Sequence, residues 1–199
     1  MKGIRGVFIP VFLLPFAAAV FFLPQQPCPA YETADHLPDV EVVDEVDIER
    51  FMGTWYLIAE IPNLFEWYCT SGQTADYTLN GDGSVAVRNE CYTFFDTKAG
   101  VEARAVVADE QTPAKLKVSF VNFFGIWLFA GDYWIVELGD EYEYAVIGHP
   151  TRNYSWILSR TCVLSDELLA GIFDRLEDQL YDRDDFIMID HSKSECPDR

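Results

Sequence analysis

From Gly53 onward, apolar and polar residues alternate in short runs, each closed by a turn signal. The runs cover residues 54–61, 74–79, 85–92, 102–108, 114–121, 132–138, 142–147 and 154–159. Pro62 ends the first, Asn80-Gly81-Asp82-Gly83 is a hairpin signal between the second and third, and Gln111-Thr112-Pro113 closes the fourth. Eight short strands at this spacing predict an all-β, antiparallel sandwich or barrel. After Ser165 the period lengthens. Leu169, Ile172, Phe173, Leu176 and Leu180 form one helical stripe, with Ser165 as cap and Asp166 and Glu167 suited to the positive end of the helix dipole. Such a stripe must lie against something, most simply the outside of the sheet. A short ninth strand is expected over 186–189, before a polar tail.

Side chains along a strand point alternately to its two faces, so the phase of each run marks the inner wall. The first run places Trp55, Leu57, Ala59 and Ile61 together, and the second Ala75, Tyr77 and Leu79. The third places Val85, Val87, Asn89 and Cys91, the fourth Ala103, Ala105 and Val107, and the fifth Leu116, Val118 and Phe120. Tyr154, Trp156, Leu158 and Arg160 share one phase of the last run; Tyr133, Ile135 and Ile147 are assigned to the same wall. Ala59, Ala75, Ala103 and Ala105 among bulky neighbours leave volume for an apolar guest. Alternation alone leaves two outcomes open, a cavity or an interior filled by the large residues.

Composition narrows the class. Of 199 residues, half are apolar and 15% aromatic, enough for a real core. The formal net charge of −19 repels phosphate backbones, so no nucleic-acid partner is expected. Lys2 and Arg5 precede a run without charge over 7–23 that carries Pro10 and Pro15 and is short for a spanning helix. Residues 1–30 therefore read as an export signal, with cleavage near Cys28-Pro29-Ala30 or Ala17-Ala18-Ala19. Pro27 and Gln26 stand where a lipidation motif at Cys28 wants small residues. Residues 31–46 form an acidic strap and 47–199 the domain itself, which would be secreted, periplasmic or associated with an outer membrane. Five cysteines in an exported chain suggest disulfides. No Cys-x-x-Cys pair occurs and His36, His149 and His191 are scattered, so neither a metal nor a cofactor is expected.

Three segments are more specific. Gly53-Thr54-Trp55 after Asp47-Ile48-Glu49-Arg50-Phe51-Met52 resembles the Gly-x-Trp signature that opens lipocalins. Gly139-Asp140-Glu141-Tyr142 is similar to the acidic turn between their sixth and seventh strands, and Trp156-Ile157-Leu158-Ser159-Arg160-Thr161 to the signature ending strand eight. Gly131-Asp132-Tyr133-Trp134, Ala145-Val146-Ile147-Gly148 and Lys115-Leu116-Lys117-Val118 resemble the apolipoprotein D, bacterial and plant branch in particular. The resemblance covers about Asp47 to Pro197. It implies an eight-stranded up-and-down barrel that holds one small ligand, with the helix packed outside.

The resemblance also implies roles. Trp55 should plug the closed floor with Arg160 across its indole, and Gly53 should let the strap pass beneath. The open mouth should be ringed by residues 61–70, 93–100, 122–131 and 149–153. The stretch from Phe123 to Ala130 is conspicuously apolar for a loop and should meet a membrane, a ligand or a second copy. A Cys69–Cys196 disulfide is implied by the family pairing. His149 and Pro150 stand where a second bridge would need a cysteine, Cys28–Cys162 is an alternative, and Cys91 is left as an inward free thiol.

Binding and transport of a small hydrophobic ligand, a fatty acid, lysophospholipid or similar lipid, is thus the leading expectation, and not enzymatic activity. The residues expected to meet the ligand are Leu57, Ala59, Ala75, Tyr77, Val87, Asn89, Leu116, Val118, Phe120, Tyr133, Ile135, Ile147, Tyr154 and Trp156. Among them Asn89, Tyr133 and Tyr154 should lie nearest a headgroup. Two alternatives remain: a lipid-modifying enzyme with Cys91 as nucleophile, or a pigment or odorant binder using the aromatic wall.

Overall fold

The structure is a computed structural model that describes residues 37–194 and Cys196. Asp47 caps a four-residue helix, α1 (Ile48–Phe51), its carboxylate accepting from the backbone N–H groups of Glu49 and Arg50. Gly53, at φ +92°, then turns the chain into β1 (Gly53–Glu60). There follow β2 (Cys69–Leu79), β3 (Val85–Thr93), β4 (Lys98–Val107) and β5 (Lys115–Ser119). A hairpin of β6 (Val121–Phe123) and β7 (Ile126–Leu128) stands apart as its own two-stranded sheet. The chain returns through β8 (Gly131–Leu138), β9 (Tyr144–Gly148) and β10 (Ser155–Ser159), and the helix α2 (Asp166–Asp178) leads to β11 (Ile187–Met188).

Every barrel strand pairs antiparallel with its chain neighbours, and β10 pairs back onto β1, which closes an eight-stranded barrel with β11 added along β1. Of the sandwich or barrel that strand spacing left open, the architecture is the barrel that the resemblance implied. Side chains split into two apolar clusters. One fills the barrel and includes Trp55, Leu57, Ala75, Tyr77, Val87, Leu116, Val118, Ile135, Ile147 and Leu158. The other lies between the sheet and α2, where Ile172, Phe173 and Leu176 meet Ile58, Val136, Val146 and Ile157. The strap joins both: Val40 is buried in the outer cluster, the Val43 N–H donates to the Ile135 carbonyl, and Arg152 donates to the Pro38 carbonyl.

Several expectations are corrected. Strand β2 begins at Cys69 and β4 at Lys98, four to five residues sooner than alternation suggested. Gly72, at φ +63°, and two register shifts break the alternation there while the strand continues. The apolar stretch expected as a loop forms the β6–β7 hairpin. The helix stripe stops at Leu176: Leu180 lies past the helix end at φ +67° and is exposed, and Tyr181 takes the buried place.

The disulfides differ from the implied pairing. Cys69 bonds Cys91, and Cys162 bonds Cys196, with Cα–Cα distances of 5.6 and 5.7 Å. The longer β2 explains the first, because it pairs Cys69 with Thr93 and brings Cys91 of β3 alongside. Cys69–Cys196 is therefore not formed, and Cys162 is not available to Cys28. The proposed signal and Cys28 themselves lie outside the described residues.

Candidate ligand-binding site

The floor is sealed by one guanidinium. Arg160 lies 3.7 Å from the centre of the Trp55 indole. Its Nη2 donates to the carbonyls of Arg50, Phe51 and Met52, and its Nη1 to that of Thr54. These are the carbonyls that a short helix followed by a sharp turn leaves without partners. The indole N–H donates to the Phe51 carbonyl. Gly53 is needed at its positive φ, and a Cβ there would meet Arg160 at 3.5 Å. Trp55 and Ala145 at this end have no accessible surface.

The inner wall runs on from Trp55 and Gly53 to their partners Ala75 and Tyr77 on β2. Ala75 and Tyr77 on the inner wall keep 8% and 7% exposure, Val87 and Leu116 keep 6%, and Asn89, Tyr133 and Trp156 are only half-buried. An aromatic column climbs this wall. Phe51 stands on Trp55 at 4.9 Å and edge-on to Tyr77 at 5.4 Å. The Tyr77 and Tyr133 hydroxyls share a hydrogen bond of 2.6 Å; Tyr133 stacks on Trp156, and Trp156 on Tyr154 at 6.2 Å and 9°. Tyr154 then meets Phe65, and Phe65 stacks on Phe120. Burial pushes the Tyr77 hydroxyl up to about 12 and that of Tyr133 well above its ordinary value, so both stay protonated donors. At the mouth a concavity of about 320 Å³ is lined by Pro62, Asn63, Leu64, Asn153 and Tyr154.

Of the residues expected to meet a ligand, twelve line the barrel or its mouth. Phe120 is the first departure: it stands at the rim, exposed, against Phe65. Ala59 is the second. A bulge in β1 between Leu57 and Ala59 shifts the register, so Ala59 and Ile61 join the outer cluster under α2. The same shift turns Glu60 inward, opposite Trp156.

Glu60 opens a polar group that alternation missed. It is 4% exposed and Gln73 beside it 5%, the Gln73 amide donating to the Glu60 carboxyl at 3.4 Å. Glu66, carried on the loop after β1, adds a second carboxyl and accepts from the Trp156 indole and the Asn63 amide. Burial, reinforced by the neighbouring Glu66 carboxyl, pushes the Glu60 carboxyl up to about 8. Glu60 Oε2, Gln73 Oε1 and Asn89 Oδ1 are buried without a hydrogen-bond partner. The one sequence signal was a glutamate inside an otherwise apolar run, Leu57-Ile58-Ala59-Glu60-Ile61.

Cys91 is buried and bonded to Cys69, so it offers no thiolate, and the nucleophile assigned to it is withdrawn. Among the described residues no group of three or more His, Cys, Asp or Glu is placed to hold a metal.

Comparison with known proteins agrees with this geometry. The family model described as a lipocalin-like domain matches residues 46–191. Temperature-induced lipocalin-1 of Arabidopsis thaliana is 39% identical over 148 residues, covering 72% of this chain and 78% of that protein. Outer membrane lipoprotein Blc of Escherichia coli is 40% identical over 133 residues, covering 65% and 70%. Among solved structures, insecticyanin from the tobacco hornworm is similar at 25% identity with a TM-score of 0.64, over 81% of this chain and 89% of that one.

Proposed function

Because the chain belongs to the lipocalin family, we propose that it binds and carries a small hydrophobic molecule in its barrel, and that the molecule is a single-chain lipid of fatty-acid or lysophospholipid size. The observation that carries this reading is a closed eight-stranded barrel with an apolar inner wall, including Leu57, Val87, Leu116 and Val118, and a concavity of about 320 Å³ at its mouth beside Tyr154. Burying an alkyl chain there contributes roughly 0.8 kcal/mol per methylene. A chain of about sixteen carbons reaches micromolar affinity after association costs. The carrier is exported, in keeping with its two disulfides. Native mass spectrometry of the purified full chain tests the reading: a bound lipid that heat or solvent releases is expected, and no saturable uptake of any alkyl-chain compound sinks it.

The rim supplies a loading surface. Phe123, Phe124, Ile126 and Phe129 on the hairpin are exposed, as are Leu64, Phe65 and Trp67 across the mouth and Phe94 and Phe95 beside it. Residues 121–130 carry no charge in a chain of net charge −19. Such a patch meets a lipid surface without bringing the acidic walls close to it. A second reading, a carrier of a conjugated pigment or odorant, is favoured by the stacked Tyr133, Trp156 and Tyr154 rings; the mass of the released compound separates the two.

A further inference from the structure

Inside a barrel built to hold an alkyl chain, the polar groups at the upper wall are one-sided. Glu60 and Glu66 are carboxyls, and the unpartnered buried atoms Glu60 Oε2, Gln73 Oε1 and Asn89 Oδ1 are all acceptors. A proton on Glu60 serves its contact with Glu66 but leaves Gln73 and Asn89 without a donor. Orphaned buried acceptors of this kind each cost free energy until a donor arrives.

Cations are held elsewhere. Arg160 and Arg50 sit at the floor, on Trp55 and Tyr142. Arg88, Arg104, Lys117, Arg175 and Lys193 pair with surface carboxylates. Lys98, Lys115 and Arg183 lie over the Tyr92, Trp134 and Phe173 rings, and Arg152 is spent on the strap and α2 carbonyls. None of the described cations therefore answers Glu60 and Glu66. A carboxylate headgroup entering the lumen meets two carboxyls, and its only donors are neutral ones: the Gln73 and Asn89 amides, the Trp156 indole and the Tyr77 and Tyr133 hydroxyls.

We propose that the lumen selects an amphiphile whose headgroup is a protonated amine, held by Glu60 and Glu66 with the amide oxygens of Gln73 and Asn89 as further acceptors. This rests on the carrier reading and narrows its ligand class by headgroup charge. An alkylammonium brings three N–H donors and a positive charge to two carboxyls that none of the described cations answers. The net charge of −19 concentrates cations around the mouth before they enter.

The test uses the oxidised full chain at pH 7.5 and moderate salt, with dodecylamine, dodecanol and dodecanoic acid followed by Trp fluorescence and calorimetry. Dodecylamine is expected to bind at least about 30-fold tighter than dodecanoic acid, a modest claim for one unit charge among partly buried partners. Glu60→Gln and, on the more accessible loop, Glu66→Gln should each reduce that ratio to within about threefold. Dodecanol binding without amine preference overturns this proposal and leaves the carrier reading standing. A preference that survives both substitutions assigns the effect to the acidic surface and also overturns it. No binding of any of the three overturns the carrier reading itself.

Discussion

Arg160 shows how one side chain serves several scales. Its planar fork reaches five carbonyls at once while its face covers Trp55, a geometry that no other side chain provides. Arg160→Met preserves volume yet takes this donor from all of them, leaving the Phe51 carbonyl only the Trp55 indole N–H, beside a half-covered indole. A loss of about 3 kcal/mol is expected in urea unfolding, within the range for hydrogen bonds to charged groups; a loss under about 1 kcal/mol contradicts the floor-sealing role. Glu60 works in the opposite direction. Its folded carboxyl is raised to about 8 from an ordinary value of 4.5, so the folded state keeps a proton that the unfolded chain releases. The benefit is fully present below about 4.5, declines as pH rises toward 8 and is gone above it. Glu60→Gln removes this slope. Relative to the parent, the variant should gain stability between pH 5 and pH 9 by an amount on the order of 3 kcal/mol, and a constant difference across that interval counts against a buried, protonated Glu60.

Secondary-structure elements depend on closures that lie far apart in sequence. The bridges span separations of 22 and 34 residues, joining β2 to β3 and the end of β10 to the tail. Chain-entropy arguments put each at about 3 kcal/mol. Peptide mapping without reduction should recover Cys69–Cys91 and Cys162–Cys196, and a Cys69–Cys196 peptide would contradict the β2–β3 register. Gly148 tests the outer packing in another way. A Cβ there comes within 2.8 Å of Val136 Cγ1 and 2.3 Å of the Tyr181 hydroxyl, which is itself held by the backbone N–H and carbonyl of His149. Gly148→Ala should therefore lower stability by roughly 1–3 kcal/mol in the same urea assay. The legibility of the sequence follows the same division. Where alternation is unbroken, as in Leu116 and Val118, the inner wall could be read directly. Where a bulge inserts one residue, period-two reading reverses: Ala59 goes out and Glu60 comes in, with no local sequence mark for the shift. Signature residues were legible because each has one structural task, as with Gly53, Trp55 and Arg160. The disulfides were not, since their pairing depends on how far β2 extends.

At the scale of the molecule, an acidic body carries one uncharged, aromatic end. The walls repel anionic surfaces, whereas Phe123, Phe124 and Phe129 on the hairpin are exposed beyond them, Phe124 at 92% and Phe129 at 86%. These opposed tendencies predict selectivity among membranes rather than general stickiness. Burying a few phenylalanines contributes several kcal/mol, on the order of 2 each, while repulsion between the acidic body and an anionic bilayer grows at low salt. The full chain should therefore float with neutral phosphatidylcholine vesicles, and less with vesicles rich in phosphatidylserine at low ionic strength, the difference shrinking as salt is raised. Phe124→Ser together with Phe129→Ser should abolish flotation without changing the urea midpoint, because neither side chain belongs to either core. Should the double variant float as well as the parent, or fall apart from a dimer into monomers on a sizing column, the rim serves a second copy of the chain and not a lipid surface.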